Sequence, residues 1–161
     1  MQKTGILKAG KIAPHFTLPS SDESRISLKK YFGNPIILVF YPADWTGVCS
    51  SQLSLYNQIL PEFKKFNAQL IGISVDAQGS HVEFAKQKKL QFPLLSDFEP
   101  KGFVAKKYGV YNSKSGTTER ALFVIAPDGR IAWSYKSPMG VNPGAEGILK
   151  ALAIIQKAKR S

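Results

Sequence analysis

The feature that most restricts the fold is an unbroken apolar run, Pro35-Ile36-Ile37-Leu38-Val39-Phe40-Tyr41. Apolar side chains at every position predict a strand buried on both faces. A helical pattern follows, with Leu53, Tyr56, Ile59, Leu60, Phe63 and Phe66 at turn spacing. Between the two lies Tyr41-Pro42-Ala43-Asp44-Trp45-Thr46-Gly47-Val48-Cys49, which holds the only cysteine of the chain. Cys49 is therefore expected where a buried strand hands over to a helix. Backbone N–H groups at a helix start lack intrahelical partners and favour a thiolate.

The rest of the chain repeats this alternation. His15 to Leu18 alternates as a short strand, and a polar turn follows at 20–24. Ser27 is placed to cap one helical turn, Leu28 to Phe32. Pro61 should split or kink the helix of 47–66. Ala68 to Val75 reads as a second buried strand. Ser80 and Glu83 have capping-box spacing for a helix through Lys89. Leu94 to Asp97 is a short strand or turn, and Glu99 to Tyr108 a short helix stopped by Gly109. Ala121 to Ala126 is a third apolar strand. Pro127-Asp128-Gly129-Arg130 turns it into a return strand, Ile131 to Tyr135. A final helix carries Ile148, Ala151, Leu152 and Ile155 on one face. A β-α-β unit followed by a β-β-α unit predicts an α/β fold of thioredoxin-like type, a mixed central sheet flanked by helices. At 161 residues, 1–161 is expected to form one domain.

No apolar stretch approaches the roughly 20 residues of a membrane-spanning helix. Met1 to Lys11 has no long apolar segment of the kind a secretory signal needs. One cysteine permits no intramolecular disulfide, which favours a reducing, cytoplasmic setting. The net charge is +11. It admits a polyanion binder or a protein with a lysine-rich solvated surface. The basic residues are dispersed, at Lys29-Lys30, Lys64-Lys65, Lys86 to Lys89, Lys106-Lys107 and Lys157 to Arg160. That spread favours the solvated surface, so neither a nucleic-acid nor a membrane partner is expected.

Pro42-x-x-x-Thr46-x-x-Cys49 resembles the P-x-x-x-T/S-x-x-C signature of the peroxiredoxins, the thiol peroxidases of the alkyl-hydroperoxide-reductase and thiol-specific-antioxidant group. Phe92-Pro93-Leu94-Leu95-Ser96-Asp97, Arg120-Ala121-Leu122-Phe123-Val124-Ile125 and Pro127-Asp128-Gly129 resemble further family segments in the same order. Several matches at consistent spacing are far more specific than one short motif. The chain is most similar to the bacterioferritin-comigratory or Q-type group, or to the one-cysteine bacterial group.

The resemblance implies a thiol-dependent peroxidase with no cofactor. Cys49 is the implied nucleophile, with Thr46 and Arg120 beside it, and Pro42 shields the sulfur. The Thr46 hydroxyl, Arg120 and the N–H groups of Val48 and Cys49 are the implied peroxide-binding donors. Thr46 can equally be an N-cap. Trp45 is a pocket or interface wall, or a core residue. Gln52 occupies a position where many relatives carry Glu. His15 and His81 lack metal-ligand spacing and receive no role.

A free cysteine is only about 3% thiolate at pH 7. A helix terminus contributes roughly 0.3–1 kcal/mol, and a hydrogen bond to a charged group roughly 1.5–3 kcal/mol. Arg120 is therefore the expected main activator. Ser54 and Ala85 stand where a resolving cysteine is often found, and no second cysteine exists. The expected partners are a peroxide and an external thiol donor: thioredoxin, a glutaredoxin-like protein or a low-molecular-weight thiol. A monomer or homodimer is expected. A thiol–disulfide oxidoreductase would need C-x-x-C, and the chain has Cys49-Ser50-Ser51-Gln52. A non-enzymatic basic binding protein or holdase is the competing reading from another class.

Overall fold

The structure is a computed structural model that describes residues 5–160. Residues 1–4 of the basic N-terminal stretch, and Ser161, lie outside the described residues.

The predicted first strand forms as β3 (Ile36–Phe40), with every residue buried. It is the middle strand of a five-stranded sheet. Its partners are β4 (Gln69–Ser74), β5 (Leu94–Ser96), β8 (Arg120–Ile125) and β9 (Ile131–Ser137), in the order β5-β4-β3-β8-β9. β3 runs parallel to β4 and antiparallel to β8. The mixed sheet expected from the element order is therefore present.

Strand alternation sorts the side chains into two cores. Ile36, Leu38 and Phe40 enter one, while Ile37, Val39 and Tyr41 enter the other. The first core is closed by Val104 and Ala105 of α4 (Phe103–Lys107), and by Leu18 and Ile26 of an N-terminal hairpin. The hairpin consists of β1 (Thr17–Pro19) and β2 (Arg25–Ser27). The second core takes Cys49, Leu53 and Tyr56 from α1 (Gly47–Gln58) and Phe63 from α2 (Leu60–Lys64). It also takes Phe84 from α3 (Gln78–Lys88) and Ile148, Ala151 and Leu152 from α5 (Glu146–Arg160). Each fully buried aliphatic or aromatic side chain contributes roughly 1.5–3 kcal/mol.

Pro61 splits the 47–66 segment as expected, since it lies in the first turn of α2, where a missing N–H costs nothing. Other boundaries differ. The first strand is Thr17–Pro19 rather than His15 to Leu18. Ser27 precedes a single 3-10 turn, Leu28–Tyr31, without a side-chain capping bond. The N-cap of α3 is Ala77, so Ser80 and Glu83 form no capping box. Ser80 lies inside the helix and its hydroxyl donates instead to the buried Asp44 carboxylate at 2.7 Å. α4 begins at Phe103 instead of Glu99, because the Asp97 carboxylate accepts from Val104 N and Ala105 N at 3.1 and 2.9 Å. A small hairpin, β6 (Tyr111–Asn112) with β7 (Thr117–Thr118), carried no sequence signal that announced it.

Candidate active site

The loop after β3 is anchored before it leaves the sheet. Tyr41 N donates to Ile73 O at 3.1 Å, and Thr118 Oγ1 of β7 donates to Tyr41 O at 2.7 Å. Half-buried Pro42 opens the loop. Thr46 closes it as the N-cap of α1, in extended backbone geometry. Its Oγ1 accepts from Cys49 N at 3.3 Å and donates to Ala43 O at 3.4 Å. Of the two alternatives for Thr46, the N-cap is the one the structure shows, within the first turn that holds Cys49. Val48, half-buried, is the second residue of that turn, where the helix offers its N–H no carbonyl.

Cys49 is fully buried. Arg120, 2% exposed, is brought to it by strand register. Ala121 of β8 pairs with Phe40, the last residue of β3. Arg120 is thus the β8 residue level with the start of the loop. Its Nη1 donates to Cys49 Sγ at 3.4 Å and to Gln52 Oε1 at 2.8 Å. Nε and Nη2 both donate to Met139 O, at 2.9 and 2.7 Å. The oxygen partners of this guanidinium are a carbonyl and an amide, both neutral. Among the described residues Arg120 forms no ion pair with a carboxylate. The Cys49 sulfur is the one further side-chain atom that this buried guanidinium touches.

Gln52 is held in turn. Its Nε2 donates to Tyr56 OH at 3.1 Å, and that hydroxyl donates to Gly144 O at 2.8 Å. Cys49, Gln52 and Tyr56 are spaced to share one face of α1. Burial pushes the Tyr56 phenol up to about 12, against the lowering effects of Gln52 and Arg120, so it remains a donor at neutral pH. Gln52 therefore holds the arginine at Nη1, and the cap of α1 is Thr46.

Trp45 is half exposed and has φ +72°. Bulky residues avoid that region, and its use marks a loop held by its surroundings. The indole packs edge-to-face on Phe84 of α3, with centroids 5.0 Å apart. Trp45 is thus a surface wall beside the loop rather than a core residue. On the same side, His81 of α3 contacts Asp44. Sequence spacing attached no role to either residue. The available signal was that His81 precedes the buried Phe84 by three residues and so shares its inward face. Ser54 is exposed on α1 and Ala85 is half-buried on α3.

Residues 9–134 match the family model described as AhpC/TSA family. The chain belongs to the AhpC/TSA family. It is 37% identical over 136 residues to alkyl hydroperoxide reductase E of Mycobacterium tuberculosis, covering 84% of this chain and 89% of that protein. It is 40% identical over 134 residues to the chloroplastic peroxiredoxin Q of Oryza sativa, covering 83% of this chain and 61% of that one. Among solved structures it resembles the peroxidoxin BcpB of Mycobacterium tuberculosis, with a TM-score of 0.80 and 29% identity. That likeness covers 94% of this chain and 97% of the other. It also resembles the reduced 2-Cys peroxiredoxin of Plasmodium vivax, with a TM-score of 0.87 and 27% identity over 96% and 84% of the two chains. This AhpC/TSA protein differs from the 2-Cys relative in having Cys49 as its only cysteine.

Proposed function

We propose that the protein is a thiol-dependent peroxidase acting on hydrogen peroxide and organic hydroperoxides through Cys49 alone. The observation that carries this reading is the 3.4 Å contact between Arg120 Nη1 and the buried Cys49 sulfur, in a site where the guanidinium has no carboxylate partner among the described residues. The Cys49 thiolate attacks one peroxide oxygen. An S–O bond forms, the O–O bond breaks, and the leaving oxygen takes a proton to depart as water or an alcohol. Cys49 is left as a sulfenic acid.

Full ionisation of the thiol accelerates the reaction by at most about 30-fold over an ordinary cysteine. Further acceleration requires donors aimed at the breaking O–O bond. Arg120, the Thr46 hydroxyl and the Val48 and Cys49 amides are the proposed donors, and Pro42 excludes water from the sulfur. In the resting site the Cys49 amide bonds to Thr46 Oγ1, so its use requires a shift of that cap.

With no second cysteine, the cycle closes through external thiols. One thiol condenses with the sulfenic acid, releasing water and forming a mixed disulfide. A second displaces Cys49 as a thiol and leaves as the donor disulfide. Thioredoxin, a glutaredoxin-like protein and a low-molecular-weight thiol are the candidate donors.

The test is peroxide consumption by the purified protein with these donors in parallel. Wild type is expected to turn over with at least one, and Cys49→Ser with none. Continued turnover by Cys49→Ser, or absence of a sulfenic acid on Cys49 after peroxide, would overturn the reading.

A further inference from the structure

The proposed reaction leaves unused a buried polar cluster on the α3 side of the loop. Asp44 is 4% exposed and His81 is fully buried. His81 Nδ1 lies 2.8 Å from Asp44 Oδ2, and His81 Nε2 lies 3.0 Å from Leu95 O. A carbonyl oxygen only accepts, so Nε2 carries a hydrogen. The short Nδ1–Oδ2 contact also requires a hydrogen between its atoms. Asp44 Oδ1 accepts from Tyr41 OH at 2.7 Å, and Oδ2 accepts in addition from Ser80 Oγ at 2.7 Å. Three hydrogen-bond partners thus converge on one buried carboxylate. Burial, reinforced by Asp44, holds the Tyr41 phenol well above its ordinary value and keeps it a donor.

This cluster grips the loop that carries the site. Asp44 N donates to Asp76 Oδ2 at 2.8 Å, and Asp76 Oδ2 also accepts from Ser74 Oγ at 2.6 Å. The next residue, Trp45, is the one with positive φ, and its ring rests on Phe84, three residues beyond His81. Thr46, the cap over Cys49, follows directly. The donor atoms of Asp44, Asp76 and His81 lie within 4.8 Å of one another. Each already has a hydrogen-bond partner, so the cluster is a closed hydrogen-bonded network rather than an ion site.

We propose that His81 is a positioning residue for the peroxide reaction: by its hydrogen bond to Asp44, it fixes the loop of 42–46 so that Thr46 and Cys49 are aligned. The inference rests on the peroxidase reading above. The titratable groups facing His81 are Asp44 from the loop, Asp76 from the turn after β4, and Tyr41 from the end of β3. The Ser74 hydroxyl and the Leu95 carbonyl complete its surroundings.

Two substitutions separate positioning from packing. His81→Asn keeps an amide donor near the Nδ1 position, facing Asp44, and loses Leu95. His81→Gln reaches toward Leu95 and loses Asp44. The rate of Cys49 oxidation by hydrogen peroxide, followed by stopped-flow fluorescence, is expected to fall roughly 10- to 100-fold in His81→Gln. In His81→Asn it is expected to remain within about threefold of wild type. Equal rates in the two variants, or the faster rate in His81→Gln, would overturn the proposal. A measurement on wild type stands apart from variant folding: proton NMR of the histidine-labelled protein should show a downfield, slowly exchanging hydrogen in the His81–Asp44 contact, and its absence would overturn the proposal. Alkylation of Cys49 by iodoacetamide is run in parallel. If wild type consumes no peroxide, the peroxidase reading fails, and the alkylation contrast between the two variants still decides the role of His81.

Discussion

On the α1 side of the Cys49 loop, Arg120 gives its hydrogen bonds to a backbone carbonyl, an amide and a sulfur. On the α3 side, Asp44 receives hydrogen bonds from a phenol, a serine and a histidine. Both groups are buried, and each charge is expensive to bury unless it is matched. The Asp44 side is matched within itself, since three side chains bond to the one carboxylate. Among the described residues, the Arg120 side offers the cation only neutral oxygens and the Cys49 sulfur. The closed network therefore suits holding a loop still, and the open one suits chemistry.

Removing the unmatched cation should have the largest effect. Arg120→Met is expected to slow the reaction of Cys49 with peroxide by about 100-fold, the range of one charged hydrogen bond. Stopped-flow oxidation at neutral pH measures it, and a rate within threefold of wild type would break the contrast between the two sides. Gln52→Glu makes the Arg120 side as closed as the Asp44 side. A carboxylate 2.8 Å from Nη1 would compete with the thiolate for the same cation. Oxidation of Cys49 by peroxide should slow about tenfold in this variant, read in the same stopped-flow assay.

Two smaller effects sharpen the comparison. In the folded protein Tyr56 is raised to about 12 from 10.0. Between those values the unfolded chain loses the phenolic proton while the folded protein keeps it. Stability should therefore fall as pH rises through that window, by up to about 1.4 kcal/mol per unit from this group. Tyr56→Phe should flatten part of that slope in chemical unfolding at alkaline pH. It leaves the contributions of Tyr41 and Tyr108, whose phenols are also raised by burial. Ser80→Ala removes one donor from a carboxylate that keeps two others. A cost of about 1 kcal/mol in thermal or chemical unfolding and little change in oxidation rate are expected.

Much of the fold was legible because the signals were local. The apolar run at 35–41, the break at Pro61 and the turn at Pro127 to Arg130 act through residues next to one another. Boundaries failed where a distant group intervened. Asp97 caps α4 across seven residues, and Asp44 draws Ser80 away from the capping role its spacing suggested. The candidate site was legible on one side only. Cys49, Thr46, Pro42 and Arg120 were visible through their resemblance to a known motif, whereas Asp44 and His81 follow no spacing rule and meet across 37 residues.

By itself, then, the sequence determined that a buried strand passes through a short loop into a helix whose first turn carries the lone cysteine. Apolar periodicity and a threonine cap are properties of neighbouring residues, and they need no knowledge of the fold. Which polar groups flank that loop and its cysteine was decided only by tertiary structure. Arg120 arrives because β8 lies antiparallel to β3 with Ala121 opposite Phe40. His81 arrives because α3 places it against the loop, with Leu95 O of β5 behind its second nitrogen. Burial then makes both placements consequential, since a polar group removed from water acts through the few atoms it touches.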